Sequence, residues 1–213
     1  MLTFILYSVC AILGYLVGCL NPAHFIAQLK KINLKERGTG NLGATNATLV
    51  LGKKYGVLIM IFDIFKCAAI IKLTELMIKG DAIAATISGI SCILGHIFPF
   101  YLGFRGGKGL ATYGGFVLAY SPKLLLLLLI VAFTMAFVTN YSISFPLTAC
   151  ILFPILVCAT NGNYTVNILI VAVSIIMFFK HTDNFIRIVK GEEVTVDQFI
   201  KNHLLKKDDG EVK

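Results

Sequence analysis

The chain has 213 residues, of which 57% are hydrophobic and only 14% charged, and its mean hydropathy is +0.84. That is far more apolar material than a soluble domain of this length can bury, so the chain reads as a membrane protein. Intrinsic disorder, a secreted disulfide scaffold and a nucleic-acid module are excluded together, because uncharged runs such as Leu124 to Val138 lack the polar or covalent compensation that each requires.

Taken in chain order, the apolar runs predict an all-α polytopic protein with about seven transmembrane helices, at roughly 2–22, 55–78, 82–102, 109–121, 123–139, 142–160 and 165–180. The first run ends in Leu16-Val17-Gly18-Cys19, which resembles a lipoprotein cleavage box, but no Lys or Arg precedes it as a signal peptide would require. The second carries Asp63 and Lys66, three residues apart and so on one helix face; a structural pair and a functional pair are both open readings. The fourth, rich in Gly and Ala, is short enough that a re-entrant segment is its alternative. Ser121-Pro122-Lys123 predicts a tight turn before the fifth. The six cysteines show no metal-ligand spacing and read as small packing residues, and no metal site is expected.

Fifteen of the 19 Lys and Arg fall after the first, third and seventh spans, on one side of a seven-span topology. Cytoplasmic loops accumulate these residues, so the N-terminus is expected outside and the C-terminus in the cytoplasm. Residues 1–190 are then a single helical membrane domain and 191–213 a short polar cytosolic tail.

Three polar stretches fall at the same ends of the spans. The first, Gly38 to Asn46, alternates glycine with Thr39, Asn41, Thr45 and Asn46, so that backbone and side-chain donors can face an anion. It matches G-x-G-x-x-G with Asp63 beyond it, but a basic run precedes it instead of a buried strand, and Asp63 falls inside a span, so the dinucleotide reading fails. The second runs from Gly95-His96 to Gly106-Gly107-Lys108-Gly109, with Arg105, and forms a cationic glycine turn leading into a helix. It is not a Walker A loop, since Gly109 stands where Ser or Thr is required. His96 alone reads as hydrogen-bonded structure. In the third stretch His181, Asn184 and Arg187 recur at i, i+3 and i+6, near one face of a continuing helix.

Together these segments resemble the membrane-bound acyl-phosphate:glycerol-3-phosphate acyltransferase family of bacterial phospholipid synthesis. The resemblance rests on Gly40-Asn41-Leu42-Gly43-Ala44-Thr45-Asn46, on Gly95 to Pro99 with Phe104 to Gly109, and on His181, Asn184, Arg187, Gly191 and Glu193, in family order. It implies transfer of a fatty acyl group from acyl phosphate to the 1-hydroxyl of glycerol 3-phosphate, giving lysophosphatidic acid and phosphate. It also implies a bacterial plasma-membrane location with a cytoplasm-facing site, an acyl-phosphate-producing enzyme as a candidate partner, and no cofactor. The chain departs from the family at Leu49, where an Arg is usual, and at Thr39, where Ser is usual.

The candidate catalytic residues are His181, Asn184 and Lys108; the candidate substrate-binding residues are Thr39, Gly40, Asn41, Gly43, Thr45, Asn46, Gly106, Gly107 and Ser142. An acyl phosphate is already activated, so the site needs only to join two anions, stabilise an oxyanion and take up a hydroxyl proton. His181 is the natural acceptor, because an unperturbed imidazole titrates near ~6.5. Asn184 fits either a donor to the carbonyl oxygen or a positioning group. The rival from another class is a small transporter or channel for an anionic solute, whose site would lie near the bilayer midplane and not at the span ends.

Overall fold

The computed structural model describes residues 1–204; the far end of the polar tail, with Lys206, Lys207 and Lys213, lies outside the described residues. Every long element is a helix. Helix α1 (Leu2–Cys19) exposes Phe4, Ile12 and Leu16, as a lipid-facing helix does. It stops before Pro22, which has no N–H to continue the ladder, and Asn21 turns to cap the next helix by accepting the His24 N–H at 2.9 Å. That helix is α2 (Pro22–Leu29), and α3 (Ala44–Leu51) follows. The stretch between the first two predicted spans therefore contains two short helices, seated on a small core of Ala23, Ala27, Leu34, Leu42, Ala47 and Ile59.

The remaining long helices follow the apolar runs. They are α4 (Lys53–Met77), α5 (Ala82–Ile97), α6 (Leu110–Tyr120), α7 (Pro122–Thr139), α8 (Ser144–Thr160) and α9 (Tyr164–Phe179). The stretches headed by α1, α5, α7 and α9 are long and apolar enough to cross a membrane by length and composition. Helix α4 has the length but carries Asp63, Lys66, Lys72 and Glu75. Helix α6 has 11 residues. At 1.5 Å each that is about 16 Å, well short of a ~30 Å hydrocarbon core. It is an internal element: Thr112, Tyr113, Gly115, Phe116 and Val117 are buried, and the Tyr113 hydroxyl pairs with Ser174 Oγ at 2.6 Å.

Glycines let the helices approach. A Cβ at Gly14 or Gly18 would lie 2.2 Å from the Ser88 carbonyl oxygen or 2.1 Å from that of Cys92, so α1 meets α5 backbone to backbone, in parallel. Gly115 meets the Ile64 carbonyl of α4 in the same way, at 2.1 Å. The Asp63–Lys66 pair is closed inside this junction at 2.7 Å. The Lys66 ammonium also donates to Gly18 O at 3.1 Å and Leu20 O at 2.8 Å, the carbonyls that α1 leaves without helical partners. His96 completes the cluster, its Nδ1 3.3 Å from Asp63 Oδ1.

After α9 the chain turns at Lys180-His181 into α10 (Thr182–Val189). Beyond Gly191 it returns to the α7–α8 connection, where Val196 N–H donates to Asn140 O at 2.9 Å and Tyr141 forms a bridge with Thr195. Helix α11 (Val196–Phe199) starts there in a capping box between Thr195 and Gln198, and a π-helical turn, Ile200–Leu204, follows it.

Candidate active site

The first wall of the site is the loop before α3. Its organiser is Asn46, fully buried, whose Oδ1 accepts the Thr39 N–H at 2.7 Å. Its Nδ2 donates to Leu34 O, Arg37 O and Asn41 O at 3.0, 3.1 and 2.9 Å. Both ends of the amide are thus occupied within the loop, and Asn46, one of the expected substrate-binding residues, holds together the loop that presents Thr39, Gly40 and Asn41. Gly38 takes φ +60 and its Cβ would strike Asn46 Oδ1 at 2.2 Å, so glycine is needed there on both counts.

The second wall is the turn before α6. Gly106 N–H donates to Ile97 O at 3.0 Å and Gly107 N–H to His96 O at 3.1 Å. Both N–H groups were expected to face an anion, but each already has a protein acceptor. The glycines are there for closeness: a Cβ at Gly106 would meet His96 O at 2.1 Å, and one at Gly107 would meet the His96 ring at 2.1 Å. His96, held by the buried Asp63–Lys66 pair, is thus the surface on which the turn rests. Lys108 projects from it towards α10. Its ammonium donates to Asn184 Oδ1. Burial pushes Lys108 below the usual lysine value, with the Arg187 guanidinium adding to that and Asp183 and Glu193 opposing it.

The third wall is α10 and the turn before it. Asn184 Nδ2 donates to Glu193 Oε1 at 2.7 Å, and Arg187 Nε to Glu193 Oε2 at 2.8 Å. Lys108 can only donate and the carboxylate only accept, so these two partners fix which way the Asn184 amide points. Of the two roles open to Asn184, this favours positioning. The His181 ring is 6% exposed, beyond the membrane-spanning end of α9, and its Nδ1 lies 2.9 Å from Met177 O. A carbonyl only accepts, so Nδ1 carries the proton and Nε2 is left with its lone pair. Burial drives the His181 pKa down to about 4, with Lys108 and Lys180 acting the same way against the Met177 hydrogen bond and Glu193, so the ring is neutral near pH 7.

The three walls enclose an open cleft of about 260 Å³ lined by Thr39, Gly40, Asn41 and Lys108 and, from the end of α9 through α10, by Phe179, Lys180, Thr182, Asp183 and Arg187. Thr39, Gly40, Asn41 and Lys108 were expected there; His181 and Asn184 belong to the same wall without lining the cleft. Gly43 is buried as the N-cap of α3, while Thr45, exposed on α3, and Ser142, exposed in the α7–α8 connection, do not line it. Among the described residues no three His, Cys, Asp or Glu stand close enough together to hold a metal ion.

Residues 8–191 match the family model for glycerol-3-phosphate acyltransferase. The chain belongs to the glycerol-3-phosphate acyltransferase family. It is 37% identical over 187 residues to the Aquifex aeolicus glycerol-3-phosphate acyltransferase, covering 85% of this chain and 95% of that one. It is 35% identical over 193 residues to the Staphylococcus saprophyticus enzyme, with 85% and 94% covered. Its fold matches the crystal structure of PlsY (YgiH), an integral membrane glycerol 3-phosphate acyltransferase, in its glycerol 3-phosphate form, with a TM-score of 0.85 at 30% identity, covering 94% of this chain and 99% of that one. The lysophosphatidic acid form of the same protein matches at a TM-score of 0.80, also at 30% identity, with 91% and 96% covered.

For this family member the cleft adds residues that sequence reasoning did not assign to the site. Arg187 was legible in the i, i+3, i+6 spacing but was not given a role. Lys180 counted only as a basic flank of the last span. Glu193 entered only among the residues that carry the resemblance and was given no role, because its partners Asn184 and Arg187 reach it only once the chain turns back after Gly191.

Proposed function

We propose that this membrane acyltransferase takes the acyl group of an acyl phosphate and places it on the 1-hydroxyl of glycerol 3-phosphate, releasing lysophosphatidic acid and inorganic phosphate. The convergence of Lys108, Lys180 and Arg187 on one cleft with Thr39, Gly40 and Asn41 carries this reading, because both substrates are phosphorylated and must be held together against their own repulsion. The hydroxyl oxygen bonds to the acyl carbon, the acyl carbon–oxygen bond to phosphate breaks, and the electron pair leaves with the phosphate. His181 Nε2 takes the hydroxyl proton, a role its tautomer permits, and later returns it to solvent or phosphate. Lys108 offsets the charge that develops on the acyl oxygen and the departing phosphate, and Asn184 keeps Lys108 in register.

The positive-inside bias supports a cleft facing the cytoplasm, with the N-terminus outside. The polar groups gather at the ends of helices, whereas a carrier of anions would need them between broken helices at mid-membrane, so nothing in the arrangement favours the transporter reading. Purified protein incubated with acyl phosphate and a panel of phosphorylated acceptors, with products identified by mass spectrometry, tests the assignment. A 1-acyl product from glycerol 3-phosphate supports it; a product only from another acceptor, or only with acyl-coenzyme A, refutes it.

A further inference from the structure

Three cations line the cleft, and two of them are already engaged. Lys108 donates to Asn184, and Arg187 is paired with Glu193. Lys180 is different. Among the described residues its ammonium has neither a hydrogen bond nor an ion pair; it stands 5.1 Å from the centre of the Phe98 ring, a contact that leaves its N–H donors open. Lys180 is close enough to lower the pKa of both Lys108 and His181, so its charge reaches the groups assigned to the chemistry.

Its place at the end of an apolar helix is also particular. It follows directly on Phe179, the last residue of the apolar helix α9, which lines the same cleft and is 65% exposed. An anion bound at Lys180 therefore has apolar surface on one side and the polar cleft on the other. Of the two substrates only the acyl donor has that shape, a phosphate joined to a chain that must remain in lipid. Glycerol 3-phosphate is polar throughout and gains nothing from Phe179.

We infer that Lys180 holds the phosphate of the acyl donor at the membrane boundary, with the acyl chain running past Phe179; the inference rests on the acyl-phosphate reading above. The bland account of Lys180 is a basic residue at the C-terminus of α9, where a cation complements the helix dipole. That account predicts a change in stability and none in substrate affinity, so the two separate cleanly.

The test is steady-state kinetics of purified protein in detergent, varying each substrate against a saturating concentration of the other. Lys180→Met should raise the KM for acyl phosphate ~tenfold or more, which is ~1.4 kcal/mol, while the KM for glycerol 3-phosphate stays within about twofold. Lys180→Arg, which keeps the charge, should bring the donor KM back to within about threefold of wild type. Lys123→Met, at the other end of the bundle, should change neither. If the Met variant does not fold, Lys180→Gln carries the same expectation. A shift confined to glycerol 3-phosphate, or a lower melting temperature with both KM values unchanged, overturns the inference while leaving the function standing. A wild-type enzyme that makes lysophosphatidic acid only from another donor overturns the acyl-phosphate reading itself, and this inference with it.

Discussion

Lys108 sits on a turn whose backbone is held by hydrogen bonds to Ile97 and His96, so its own side chain is not needed to keep that turn in place. Lys108→Met retains much of the apolar stem and removes the charge. Loss of one preorganised stabilising group costs about 2–4 kcal/mol, so kcat/KM should fall at least about a hundredfold while the melting temperature in detergent changes little. Asn46 presents the opposite case. Its amide has four backbone partners inside the loop, Oδ1 accepting at 2.7 Å and the two Nδ2 hydrogens shared among carbonyls at 3.0, 3.1 and 2.9 Å. Asn46→Leu leaves those backbone groups unsatisfied in a buried place and should cost several kcal/mol, read as a lower thermal midpoint together with lost activity. His181 gives a spectroscopic prediction. Its folded pKa of about 4 lies below the unfolded imidazole's, so protonation favours the unfolded chain, and the stability this group contributes declines as pH falls from about 6.5 towards 4. Nitrogen chemical shifts of the ring, assigned by their absence in His181→Gln, should report an Nδ1–H tautomer that does not titrate between pH 5.5 and 8. An ordinary imidazole titration there would contradict the burial argument.

At the scale of elements, the junction of α1 with α5 depends on two glycines. Gly18→Ala puts a methyl group 2.1 Å from the Cys92 carbonyl, where backbone cannot yield without separating the helices. Overpacking of this kind costs about 1–3 kcal/mol, and here it also disturbs Gly18 O, which accepts from Lys66. Gly114→Ala in α6 meets nothing within 4 Å and serves as the control; Ala at that position should be neutral or gain up to ~1 kcal/mol in thermal denaturation. Helices α1, α5, α7, α8 and α9 were legible because each is a largely uncharged apolar run between breakers, a signal that lipid itself imposes, whereas α4 was readable despite its charges and α6 is too short to span. Helices α2 and α3 were not legible. At eight residues each they are marginal on their own, and what holds them is the cluster around Leu34, Leu42 and Ala47, contacts that no periodicity in the sequence displays. The same limit applies to the site. The residue types Thr39, Asn41 and Lys108 were readable from glycine-rich spacing, but that spacing could not tell a free N–H from one already bonded, as those of Gly106 and Gly107 are.

At the scale of the whole molecule, the fold is a set of apolar helices that carries its polar chemistry at one end. Buried charge inside the bundle is paired locally, Asp63 with Lys66 beside the His96 ring, while the cleft keeps an excess of positive charge. That division keeps paired charge in the interior and unbalanced positive charge at the end. Because no His, Cys, Asp or Glu cluster with ligand geometry occurs among the described residues, chelation of divalent ions should leave the transfer rate unchanged. Loss of activity with EDTA and recovery on adding one metal would refute that. The central claim is that acyl transfer and phosphate release are one event in this cleft, and simultaneous quantification of both products from acyl phosphate and glycerol 3-phosphate tests it most directly. The account predicts one phosphate released for each lysophosphatidic acid formed, with both falling together in Lys108→Met. Phosphate release without lipid product, or lipid formation that survives intact in Lys108→Met, would contradict it.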